Sequence, residues 1–109
     1  MRIKMYMKNK SKANKITNNE NIDEYIKIDI RARGYYLISH VKDSINISDL
    51  KRISFIAEEN KDKKLLLYCH SGATAAEFGD KLVELGYNNI YYYDDNYFNM
   101  PDSWIVKNS

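Results

Sequence analysis

Lys64–Gly86 reads KLLLYCHSGATAAEFGDKLVELG, and its two halves follow different periods. Leu65 to Tyr68 is a continuous apolar run, too short for a helix and too unbroken for a one-faced strand, so it predicts a strand buried on both sides. Past Gly72 the apolar residues recur at helical spacing. Ala75, Phe78, Gly79 and Leu82 share one face, while Glu77, Asp80, Lys81 and Glu84 share the other. Gly86 supplies the stop.

Between strand and helix stands Cys69, the only cysteine of the chain. This puts a thiol at the C-terminal end of a buried strand, the edge at which open α/β sheets hold their ligands. The free N–H groups of the turn and of the first helical turn favour an anion there, and hence thiolate over thiol. Cys69 is therefore the candidate nucleophile. The ordinary alternative is a small buried residue that ends a strand, and the glycine-containing turn and helix behind it weigh against that.

Composition bounds the rest. The 109 residues, 44% hydrophobic and 29% charged, suffice for one domain with one core. A net charge of +2 calls for neither nucleic acid nor a membrane as partner, and no apolar run approaches membrane-spanning length. A lone cysteine allows no internal disulfide, which fits a reducing cytoplasm. His40, His70 and Cys69 lack the spacing of metal ligands, so no metal or organic cofactor is expected.

Along the chain, residues 1–15 are basic and read as a segment distinct from a domain over 16–109. Ile3 to Met7 alternates like an edge strand, and Lys8 to Lys15 resembles a solvated linker or arm, without the apolar core of a secretory signal. Thr17 or Asn18 is a candidate cap for one short helix between Ile16 and Tyr25. Ile26, Ile28 and Ile30 alternate with Lys27 and Asp29 as a strand. Gly34 breaks the chain before the aromatic pair Tyr35-Tyr36. Ser44 to Ile47 reads as another strand, and Ser48 or Asp49 caps a helix over Leu50 to Glu59. Ile90 to Tyr93 is a further strand, after which the chain is irregular and Trp104 folds back on the domain. The alternation of strands and helices implies an α/β fold: a mainly parallel central sheet with helices on both faces, three layers in all.

Several of these pieces together resemble one family, the rhodanese-like sulfurtransferase domain. Asp29-Ile30-Arg31 resembles its aspartate-apolar-arginine signature, Ser39-His40-Val41 its glycine-histidine-isoleucine, and Ser44-Ile45-Asn46-Ile47 its alanine-apolar-asparagine-apolar strand. Cys69-His70-Ser71-Gly72-Ala73-Thr74 matches the active-site pattern C-x-x-G-x-[RT], and Gly86 to Ile90 matches the turn and strand that follow. The resemblance runs from about Ile16 to Trp104. Ordered signatures at the right separation are more specific than a lone C-x-x-G.

The resemblance implies that Cys69 takes sulfane sulfur from thiosulfate or a persulfide donor, small molecule or protein, holds it as a persulfide, and passes it to a thiol or to cyanide. Backbone N–H groups of His70, Ser71, Gly72, Ala73 and Thr74 would cradle the outer sulfur, with a Thr74 hydroxyl as a further donor. Arg33 would meet substrate. Asp29, Arg31 and His40 would be structural neighbours of the site. Departures from the family pattern are also legible. Thr74 stands where many members have arginine, and His70 and Ser71 stand where basic residues help to hold thiosulfate, so a persulfide is the better-suited donor. The double glycine of the family's last loop is replaced by Asp95 and Asn96. Two other readings use the same fold. A cysteine-dependent phosphatase needs C-x5-R, and Ala75 occupies the arginine position. A non-catalytic binding or regulatory module needs no nucleophile, and the retention of Cys69 and Gly72 argues against it.

Overall fold

The computed structural model describes residues 9–108, so the strand expected around Ile3 to Met7 lies outside the described residues. In chain order the elements are strands Asn14–Ile16 (β1) and Ile26–Asp29 (β2), helix Arg33–Ile38 (α1), strands Ser39–Val41 (β3) and Ile45–Asn46 (β4), and helix Leu50–Glu59 (α2). Strand Leu65–Tyr68 (β5), helix Ala73–Glu84 (α3), strand Ile90–Tyr93 (β6), two 3-10 turns at Tyr97–Asn99 and Asp102–Trp104, and strand Ile105–Lys107 (β7) complete it.

Five strands form one parallel sheet in the order β1-β6-β5-β2-β4, with β5 at its centre. All four β5 residues are buried, as the unbroken run Leu65 to Tyr68 requires of a strand covered on both faces. Leu65 and Leu67 point to one face, where Ile53 and Ala57 of α2 and Ala75, Ala76 and Leu82 of α3 pack on them with Ile28, Ile90 and Tyr92. Leu66 and Tyr68 point to the other, among Ile16, Ile22, Val41, Tyr93, Tyr97, Met100 and Trp104. The first face carries the two long helices. On the second lie the 3-10 turns and a two-stranded antiparallel ribbon of β3 and β7. Trp104 is buried there, edge-on to Tyr93 with ring centroids 5.9 Å apart.

Three local expectations are corrected. Asn14 and Lys15 are not part of a solvated arm: with Ile16 they pair with Tyr91 to Tyr93 as β1, and Ala13 is buried beside them. The chain therefore joins the domain before residue 16. No helix forms between Ile16 and Tyr25. The Thr17 N–H does find the Glu20 carboxylate at 3.1 Å, as a helix start would, but Asn21 Oδ1 then captures the Asp23 N–H at 2.9 Å, and Asn18 donates to Asn99 O while accepting from Tyr93 Oη. Asparagine and aspartate side chains that bond locally divert the backbone into turns. Conversely, Gly34 does not break the chain but lies within α1, near its start, where the first N–H groups need no helical partner.

Candidate functional site

The chain leaves β2 toward the ribbon face and leaves β5 into α3 on the other face, so the connections diverge between two neighbouring strands. A crevice at the C-terminal edge of the sheet belongs at that switch point. Asp29 ends β2 and faces Tyr68 across the ladder, and Cys69 follows Tyr68 directly.

Cys69 is buried, 6% exposed, and its Sγ accepts hydrogen bonds from the Gly72 N–H at 3.2 Å and the Ala75 N–H at 3.4 Å. Both amides belong to the start of α3, where N–H groups lack helical acceptors and the helix dipole is positive. Gly72 caps α3 with φ +96, a left-handed conformation that turns its N–H back toward the sulfur. It also backs onto the segment after β6: a Cβ at Gly72 would lie 3.0 Å from Asp94 Cα and 3.1 Å from Asp95 N. The amide cluster expected over residues 70–74 is thus represented at the sulfur by Gly72, and joined by Ala75, one residue beyond the motif.

The other expected site residues fall in two groups. His70, Ser71, Ala73 and Thr74 are exposed around the loop. The His70 ring sits edge-on against Tyr35 of α1 at 4.4 Å, and its carbonyl accepts from the Tyr97 N–H at 2.9 Å. Thr74 makes no hydrogen bond to Sγ among the described residues. Arg33 opens α1, exposed and without an ion pair among the described residues. Residues 70–74 themselves include no Lys, Arg, Asp or Glu.

Asp29, Arg31 and His40 lie behind this rim. Arg31 Nε and Nη2 fork onto the Asp29 carboxylate at 2.7–3.1 Å, with both side chains buried. Arg31 Nη2 also donates to Ser39 O at 2.6 Å. Burial opposes the guanidinium charge, but the Asp29 hydrogen bonds and charge outweigh it and leave the Arg31 pKa above its ordinary value. Tyr68 Oη donates to Asp29 Oδ2 at 2.8 Å and accepts from the Val41 N–H at 3.0 Å. Burial first, then the Asp29 charge, push its phenol far above its ordinary pKa, so it stays a neutral donor. His40 stacks on Tyr36 at 3.9 Å and bonds the Tyr36 carbonyl through Nδ1, pinning α1 to β3. Sequence reasoning missed Tyr68 and Tyr97, whose side-chain hydrogen-bond partners lie 24 or more residues away in the chain. Among the described residues, no group of three or more His, Cys, Asp or Glu is placed to hold a metal ion. No helix there is long and apolar enough to cross a membrane.

A parallel α/β domain with a cysteine in an amide-lined loop at the switch point defines a small class of proteins. The Rhodanese-like domain family model matches residues 9–100, and the chain belongs to that family. A thiosulfate sulfurtransferase GlpE of Coxiella burnetii (strain RSA 331 / Henzerling II) is 27% identical over 63 residues, 58% of this chain and 59% of that protein's length. Among solved structures, protein hp1203 from Helicobacter pylori 26695 superposes with a TM-score of 0.75 at 27% identity, covering 86% of this chain and 89% of the other. A rhodanese with anions from E. coli superposes at 0.59 with 25% identity, over 77% and 99%.

Proposed function

We propose that this chain is a rhodanese-type sulfurtransferase that carries sulfane sulfur as a persulfide on Cys69. The Cys69 thiolate attacks the sulfane sulfur of the donor. One S–S bond forms, the donor's bond to that sulfur breaks, and the donor leaves with the electron pair, as sulfite from thiosulfate or as a thiolate from a persulfide. The negative charge then rests on the outer sulfur of Cys69. A thiolate or cyanide attacks that sulfur next, takes it as a persulfide or as thiocyanate, and returns the Cys69 thiolate.

The observation that supports this most is the pair of N–H groups, from Gly72 and Ala75, on Cys69 Sγ. Donors held in place by a loop and a helix start stabilise sulfur anions without reorganising during the reaction. The remaining amides from His70 to Thr74 serve the outer sulfur, and Arg33 serves as a cation at the mouth. A loop with no Lys or Arg side chain favours a persulfide over dianionic thiosulfate, and the relative's name extends the reading to thiosulfate as a slower donor. With one cysteine in the chain, the acceptor thiol is external. A thiol that must be regenerated suits a reducing compartment such as the cytoplasm.

Intact-protein mass after incubation with thiosulfate, and separately with a low-molecular-weight persulfide, tests this directly. The expected result is a gain of one sulfur that cyanide removes as thiocyanate and that Cys69→Ser abolishes. A folded protein with a free Cys69 that gains no sulfur from either donor overturns the enzyme reading and leaves a binding module.

A further inference from the structure

Tyr97 lies outside every motif of the chain, yet it connects the buried Asp29-Arg31 pair to the loop that holds Cys69. Its backbone N–H donates to the carbonyl of His70, the residue after the cysteine, at 2.9 Å. Its side chain is fixed from three sides. The ring is 6% exposed and lies under the Arg31 guanidinium, 4.0 Å from Cζ to ring centroid. The hydroxyl pairs with Ser39 Oγ at 2.9 Å, and the ring stacks on Tyr68 at 5.9 Å and 19°. Arg31 in turn donates to Ser39 O, so Arg31, Ser39 and Tyr97 close a circuit of contacts.

That circuit anchors a segment outside the sheet, whose Asp94 also pairs with Asn9 and Lys15 and whose Asp95 accepts from Asn96 and Asn99. After β6 the chain runs from Asp94 to a single 3-10 turn at Tyr97–Asn99, in which Phe98 is 92% exposed. The same segment forms the floor of the Cys69 loop at two points: Asp94 lies against Gly72, and Tyr97 holds the His70 carbonyl. Filling a core position needs only an apolar side chain. A ring pressed on a guanidinium that is itself locked by a carboxylate fork fixes orientation as well as volume.

We propose that Tyr97, held on Arg31 and Ser39, is a positioning residue that keeps the Cys69 loop in the conformation in which the Gly72 and Ala75 amides reach Sγ. This deepens the sulfurtransferase reading of Cys69 and rests on it for its effect on rate. It acts through the loop backbone and touches neither sulfur nor substrate.

The test compares the full chain with Tyr97→Leu and Tyr97→Phe in three measurements: sulfur loading from a low-molecular-weight persulfide, iodoacetamide alkylation of Cys69 at one fixed pH, and NMR hydrogen exchange of individual amides. Tyr97→Leu is expected to slow loading and alkylation about 10- to 100-fold, the cost of a displaced reacting geometry. Exchange should quicken at Gly72 and Ala75 while Leu65 to Leu67 of β5 keep parental protection. Tyr97→Phe, which keeps the ring on Arg31 but loses the Ser39 contact, should fall between the parent and Tyr97→Leu in loading, alkylation and exchange. Parental loading and exchange in Tyr97→Leu, or exchange that quickens equally at Leu65 to Leu67, overturns the proposal. If Tyr97→Leu does not fold, Ser39→Ala and Tyr97→Phe carry the test. Each removes the same hydroxyl contact, so each should quicken exchange at Gly72 and Ala75 to a similar extent and the double variant no further; unchanged exchange in both overturns the role. If the parent takes up no sulfur, the sulfurtransferase reading fails, and the exchange and alkylation measurements still decide whether Tyr97 sets the loop.

Discussion

Gly72 carries two demands at once. Its φ of +96 is a conformation that costs residues with a Cβ roughly 1–2 kcal/mol, and the space a Cβ would need is taken by Asp94 Cα and Asp94 Oδ1, both 3.0 Å away. Gly72→Ala should therefore destabilise the fold by at least that amount, read as a lower urea midpoint, and also swing the Gly72 N–H off Cys69 Sγ. Sulfur loading and alkylation of Cys69 should fall together in this variant. A variant that loses stability but alkylates at the parental rate would separate the two demands. At this scale Cys69 and Gly72 were legible because their reasons are local: a strand end, a turn and a helix start within six residues. The Ala75 amide was legible only in part, since a helix start announces free N–H groups without saying which one meets the sulfur. Tyr97 was not legible, because nothing near it in sequence distinguishes it from the chain's other tyrosines.

Helix α3 was readable from its period, and its least conspicuous residue shows how it is seated. Gly79 lies on the buried face of α3, and a Cβ there would come within 2.8 Å of Ala13 Cβ. Alanine is the better helix former by about 1 kcal/mol, whereas overpacking a tight contact costs about 1–3 kcal/mol. Gly79→Ala should accordingly lower the urea midpoint, and Ala13→Gly in the same chain should recover part of the loss. Full additivity of the two variants would show that they do not touch. Helix α2 offers a simpler case. Asp49 accepts the Lys51 N–H at 3.0 Å as its N-cap, so Asp49→Ala should destabilise by about 1 kcal/mol without change in sulfur loading. The same reasoning failed between Ile16 and Tyr25. Caps were present there, but the stretch lacks an apolar stripe to seat a helix on the sheet, and its asparagines bond to partners as far away as Asn99. Element type follows local pattern only where a tertiary surface receives it.

Across the whole molecule the face opposite α2 and α3 is built from tyrosines and Trp104 in place of long helices. Burial, reinforced by the Asp95 charge, pushes the Tyr93 phenol up to about 12, and Tyr68 is raised further by its burial and by Asp29. Both are neutral in the folded and the unfolded chain below the ordinary tyrosine range, so they contribute no pH dependence there. Above about pH 10 the unfolded chain ionises its tyrosines while the folded chain retains these protons. The unfolded state then binds fewer protons, and stability falls as pH rises, by about 1.4 kcal/mol per pH unit for each such tyrosine. Urea midpoints at pH 8, 10 and 11 should show this decline, and Tyr93→Phe should flatten it. An equal decline in Tyr93→Phe would place the effect on other groups.

By itself the sequence determined the central strand Leu65–Tyr68, the helices at Leu50–Glu59 and Ala73–Glu84, the strand at Ile90–Tyr93, and the position of a lone thiol between strand and helix. Each of these rests on a period or a local turn, which a short window contains. Only the tertiary structure decided that Asn14–Ile16 is an edge strand of the sheet, that Ile16–Tyr25 folds as turns, and that the polar pair Asp29-Arg31 is joined through Ser39 and Tyr97 to the carbonyl beside Cys69. Those outcomes depend on contacts between segments far apart in the chain, whose energies are fixed by packing and by the pairing of buried charge, and no local pattern encodes which partners will meet.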